Sequence, residues 1–198
     1  MKRSYLILIL CFWGVLIAAS LFWNIHLTRS NNHKVVLNKS RAFFEQILVA
    51  RAWNSFHGGV YVPLTAHTQP NIYLTDSLRD IKAGELELTM INPAYMTRQI
   101  AEINENNDLK FHITSLKPIR PGNIADQWES KALEAFEIGL PEMLEKMNID
   151  GHLHYRYMAP LITAESCLKC HAKQGYAEND IRGGISVSFP SFLYDEVV

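Results

Sequence analysis

From Tyr5 to Ile25 the chain reads YLILILCFWGVLIAASLFWNI without one charged residue. That is close to the ~20 apolar residues a helix needs to cross a bilayer. A buried helix is seldom apolar all round, and a secretory h-region is usually shorter, roughly 7 to 15 residues. Ala18-Ala19-Ser20 imitates a cleavage site, but the apolar run passes through it. The pattern therefore predicts an uncleaved signal anchor over residues 1–30, with its span at about 5–25. Beyond it the period changes. Val36, Phe43, Phe44, Ile47, Leu48 and Ala50 recur at helical spacing until Gly58-Gly59 stops the run, predicting a helical stalk over 31–57. That stalk could pair with a second copy of the chain or lie against its own domain.

Residues 58–198 mix two periods. GVYVP, LELTMI, LKFHITS, GHLHYRYMAPL and RGGISVSFP alternate or run apolar as strands do, several closed by Pro or Gly. Asn92-Pro93 opens a helix through about Glu105, with Asn92 as its cap and Pro93 at a tolerated first position. Asp126 and Glu129 form a capping box ahead of a helix that puts Trp128, Ala132, Ala135 and Phe136 on one face and stops at Gly139. Without a regular βαβ alternation the class is α+β, a mainly antiparallel sheet with flanking helices.

Composition changes little. With 198 residues, 48% hydrophobic content and a formal charge of −1, the chain is long enough for one domain with a real core. No Lys/Arg-rich run argues for nucleic acid as a partner. Lys2 and Arg3 precede the span, against Arg29 and Lys34 beyond it. The positive-inside bias then favours a single pass through a bacterial inner membrane with the C-terminal domain in the periplasm. Cysteines there meet an oxidising compartment. No Ser/His/Asp spacing, phosphate-cradling loop or paired-carboxylate motif argues for an enzyme.

The candidate chemistry is in SCLKCH, Ser166 to His171. Cys167 and Cys170 are the cysteines left to the soluble part, since Cys11 lies in the anchor. Two thiols one turn apart can bond the two vinyl groups of a haem, and the following histidine then supplies an axial nitrogen. Zinc is a rival, with Cys167, Cys170, His152 and His154 as ligands and His171 incidental. A thioredoxin-like dithiol lacks its βαβ context here, and a disulfide over so short a loop is strained.

YRYMAPLITAESCLKCHAKQGY followed by DIRGGISVSFP closely resembles the Tll0287-like haem-domain family, the DUF3365 sensor domains. ARAWNSFHGGVYVP, LTMINPAYMTRQI and HITSLKPIRPGN are similar to that family's segments in the same order, so the resemblance covers roughly residues 35–198. It implies a PAS-like fold, one covalently bound haem c and signal transduction outside the cytoplasm, as in the sensor regions of histidine kinases and diguanylate cyclases. A catalytic output domain, usual in such receptors, would lie outside this chain. Some members of the wider family use a cysteine as second axial ligand. That role does not carry over, since this chain has no spare cysteine outside the anchor.

With His171 as proximal ligand, the distal candidates are His57, His67, His112, His152, His154, Met90, Met96 and Met158. His57 is favoured. It follows Val36, Phe43 and Ala50 at seven-residue intervals, and Gly58-Gly59 would let a flat macrocycle approach. Met158 and then Met96 are the alternatives. Tyr95, Arg98 and Arg120 could contact the propionates. The expected function is a haem c sensor of redox state or of a gas such as NO, CO or O2, signalling through the stalk. A tethered electron-transfer cytochrome is the alternative, followed by a zinc-stabilised binding module.

Overall fold

The computed structural model describes residues 2–105 and 108–195. A single helix, α1, runs Lys2–Phe56 through anchor and stalk without a break. Its apolar N-terminal stretch is long enough to cross a membrane, and none of that stretch is buried against the rest of the protein. Further along, Val36, Ser40, Phe44, Ile47, Arg51 and Asn54 are buried, an i, i+4, i+8 stripe that turns one face of the helix to the domain. The stalk is thus packed on its own domain. Asn54 Nδ2 donates to Ile91 O at 2.9 Å, and Arg41 pairs with Glu142, which also accepts from Tyr157 Oη at 2.8 Å.

The strands are β1 (Val60–Pro63), β2 (Asp80–Ala83), β3 (Leu86–Ile91), β4 (Lys110–Thr114), β5 (Met143–Ile149), β6 (His152–Ile162) and β7 (Ile181–Pro190). They form two antiparallel sheets, in the orders β1-β3-β2 and β4-β7-β6-β5. The α+β class expected from the pattern is what the structure has. The sequence reading omitted β2 and β5. Three of β2's four residues are exposed, so no apolar face marks it, and β5 carries Glu145, Lys146 and Asn148 within its seven residues.

The four-stranded sheet is covered on both faces. Ile113, Tyr157, Ala159, Leu161, Ile185 and Val187 pack with Val36, Phe44 and Ile47 of α1. On the opposite face Met158 packs with Trp128, Ala132, Leu133 and Phe136 of α3 (Gln127–Glu137). Strand alternation puts Tyr157 and Met158 on different faces. Both expected caps are present: Asn92 Oδ1 accepts from Tyr95 N at 2.8 Å at the start of α2 (Pro93–Ile103), and Asp126 and Glu129 close a capping box on α3.

Candidate functional site

SCLKCH lies on the connection from β6 to β7. Thr163 N donates to Asp180 O and Asn179 N to Thr163 O, each at 2.9 Å, and these bonds pin the two ends of the loop together. Within it a turn of 3₁₀ helix at Glu165–Cys167 leads into α4 (Leu168–His171) and a further turn at Ala172–Gln174. Gly175, at φ 89°, ends the run, a left-handed conformation that glycine adopts without a Cβ clash. Cys167 is a half-buried free thiol. Cys170 is part of α4, one turn after Cys167, and its side chain lies outside the described residues.

His171 is half-buried and held from behind. Its Nδ1 is 2.6 Å from Gln174 Oε1, while Gln174 Nε2 donates to Lys117 O at 3.1 Å. The second bond fixes the amide, so the oxygen faces the ring and Nδ1 must carry the hydrogen. Nε2 is left with its lone pair, the form in which imidazole binds a metal. Burial first, then the positive charges of Arg182 and Arg51, hold His171 below its ordinary value despite the hydrogen bond to Gln174. The ring is neutral at pH 7.

His171 borders two adjoining open clefts, which share Leu74, Asn92, Ala94 and Arg182 as walls. The first cavity is lined by Tyr73, Tyr95, Arg98, Lys117, Arg120 and Gln174, with Ile113 and Leu161 as its apolar floor and no carboxylate among the described residues of its wall. The second is lined by Arg51, Ser55, Gly58, Gly59, Asp76, Met90, Ser166, Cys167 and Lys169. Arg51 donates through Nη1 to Pro93 O at 3.0 Å and to Thr97 Oγ1 at 2.7 Å. Burial and the nearby charge of Arg182 lower it to about 9, so it stays cationic at pH 7. Nε of Arg182 is buried with no hydrogen-bond partner among the described residues. An unpartnered guanidinium N–H on a cationic wall is suited to an anion. A planar ligand with carboxylate arms, bonded to the Cys167 thiol and met by a neutral imidazole, would satisfy these groups.

Tyr95, Arg98 and Arg120 line the same cavity as His171. The three distal candidates singled out from the sequence stand elsewhere. His57 is exposed in the turn after α1, its ring 4.7 Å from that of Trp53 and 5.3 Å from that of Phe56. Met158 is fully buried on the α3 face of the sheet, the face opposite Leu161. Met96 lines a separate groove with Trp53, Asn54 and Val60. A zinc site is not formed from the proposed set. His152 and His154 begin β6 and Cys167 follows its far end, and eight residues of strand from His154 to Ile162 span about 26 Å. Sequence reasoning missed Arg51, Ser55, Gln174 and Arg182. A buried position in the stripe of α1 was a signal for Arg51; the others have none short of the fold.

Site and fold together define an α+β domain carried on a long N-terminal helix, with a C-x-x-C-H turn opening on a cationic cavity. The Tll0287-like family model matches residues 29–190, and the chain belongs to that family. Among solved structures the fold resembles the crystal structure of the cyanobacterial heme-protein Tll0287, at a TM-score of 0.51 and 18% identity, covering 78% of this chain and 94% of that one. No curated protein matches the chain.

Proposed function

We propose that this protein is a membrane-anchored haem c sensor domain, with Cys167 and Cys170 as thioether anchors and His171 as proximal ligand. The observation that carries the reading is the C-x-x-C-H turn on the rim of a cavity walled by Arg98, Arg120 and Arg182. The printed identity of the similar structure as a heme-protein supports it. When bound, the haem supplies a redox-active iron that can change its axial ligand. The chain's own groups do the rest. Gln174 keeps His171 in the Nδ1–H form, and the guanidiniums and Tyr95 offer donors to the propionates.

In this reading the domain lies outside the cytoplasm, held by one pass through the inner membrane, in the compartment where haem c is attached; Lys2 and Arg3 ahead of the apolar run support that orientation. Signalling through the stalk has a physical connection other than His57. Ser55 Oγ in the last turn of α1 donates to Ser166 Oγ at 3.1 Å, and Arg51, one turn earlier, holds the N-terminus of α2. A change at the site would therefore bear on the helix that enters the bilayer. The domain needs no catalytic chemistry of its own, and a redox partner or small gas is its input.

The test is expression of the full chain with the haem c maturation machinery, followed by a pyridine haemochrome assay and haem staining of denatured protein. We expect covalent haem in the wild type and its loss in the Cys167→Ala/Cys170→Ala double variant. A matured protein without covalent haem would overturn the reading. Insensitivity of the ferrous spectrum to both CO and NO, with unchanged ligation in both redox states, would replace the sensor with an electron carrier.

A further inference from the structure

We propose that Met90 Sδ is the second axial ligand of the iron. The inference rests on the haem reading above and goes beyond it by naming the group opposite His171. Of the eight histidines and methionines considered for that role, Met90 alone lines a cavity that His171 also lines.

The other polar side chains on the same wall are poorly suited. Guanidinium groups such as Arg51 and Arg182 have no lone pair to give. Ser55 is a neutral hydroxyl already bonded to Ser166. Asp76 is exposed and its carboxylate caps its own turn, accepting from Leu78 N at 2.8 Å. Lys169 lies on the same turn as the motif and cannot face it from across the cavity. A thioether is a soft donor suited to haem iron, and His/Met ligation is an established c-type arrangement.

Met90 is also held in place. It sits on β3, paired with Tyr61 of β1, and its amide donates to Arg79 O at 2.8 Å. Its side chain occupies the space that a Cβ on Gly59 would take, with Cγ 2.8 Å and Sδ 3.0 Å from that position. Gly59 thus makes room for a sulfur on the cavity wall.

The experiment compares the matured full chain with Met90→Leu and Met90→His. Leucine keeps the volume against Gly59 and removes the sulfur; circular dichroism and thermal melting confirm that each variant is folded. The wild-type ferric protein should show the weak long-wavelength charge-transfer band of a thioether on iron. Met90→Leu should lose that band, keep its covalent haem and bind added imidazole or CO more readily. Met90→His should be six-coordinate with a lower midpoint potential. A wild type that carries haem but lacks the sulfur band, or a Met90→Leu protein that keeps it, overturns the assignment while leaving the haem reading intact. A wild type with no covalent haem overturns both, and the haemochrome assay separates the two failures.

Discussion

Glu129 is fully buried, yet it is ionised and joins four parts of the domain. His112 Nδ1 of β4 donates to it at 2.9 Å, Arg156 Nη2 of β6 at 2.8 Å, Ser186 Oγ of β7 at 2.5 Å, and Asp126 N at the head of α3 at 3.1 Å. Burial would raise its carboxyl, but the hydrogen bonds from His112 and Ser186 outweigh it and hold the group at about 2, against an ordinary 4.5. Glu129→Ala would leave His112, Ser186 and the Asp126 amide without their acceptor; the amide, on an exposed residue, can turn to water, and Arg156 would keep Asp126 Oδ2 at 2.6 Å. Two orphaned donors at about 1–3 kcal/mol each give an expected loss of roughly 3–4 kcal/mol. The pKa shift, at about 1.4 kcal/mol per unit, gives a similar figure of about 3 kcal/mol. With a urea dependence of about 2 kcal/mol per molar, the unfolding midpoint should fall by roughly 1.5 M.

The pH dependence follows from the directions of the two shifts. Because the folded pKa of Glu129 is depressed, its contribution is present above about 4.5 and is lost as pH falls toward 2. His112 is raised, chiefly by its hydrogen bond to Glu129, so its contribution is complete below 6.5 and is lost as pH rises through the folded value. The pair should be strongest between those limits. Urea titrations followed by circular dichroism, on the full chain in detergent from pH 3 to 8, measure both effects. A midpoint within about 0.3 M of wild type for Glu129→Ala, or an unchanged acid limb in that variant, would refute the reasoning.

Gly58 and Gly59 should separate two costs. Both have positive φ, 74° and 105°, but a Cβ at Gly58 meets nothing within 4 Å whereas one at Gly59 meets Met90. Gly58→Ala should cost about 1 kcal/mol and Gly59→Ala about 2–3 kcal/mol, the difference being side-chain crowding; thermal denaturation of both variants checks this. Gln174→Leu should leave covalent haem content unchanged but shift the midpoint potential, because His171 loses the acceptor that fixes its tautomer. Spectroelectrochemistry reads that shift, and an unchanged potential would mean that Gln174 does not act through the imidazole.

Much of the architecture was legible because it depends on local chemistry. The caps at Asn92 and Asp126, the stop at Gly58-Gly59 and the alternation in β4, β6 and β7 are properties of short stretches. So was the C-x-x-C-H turn. The cavity wall was not. Arg51, Gln174 and Arg182 come from three separated segments, and their meeting depends on how α1 and the β6–β7 loop dock on the sheet. Helical phase ranked His57 first; the buried stripe of α1 ends at Arg51 and Asn54, and His57 falls just past the helix. Met158 has a plausible distance in sequence from Cys167, yet one step of strand alternation puts it on the other side of the sheet.

The unbroken α1 also sets a height. From Ile25, where the apolar run ends, to Arg51 at the cavity wall is 26 residues of helix, about 39 Å along its axis at 1.5 Å per residue. That is several times the ~8 Å over which lipid head-group charge is felt at physiological salt. With the apolar run in a bilayer and α1 standing along its normal, the cavity would be insulated from the surface potential of that membrane. An electron or ligand donor to the proposed haem would then have to arrive through the aqueous phase.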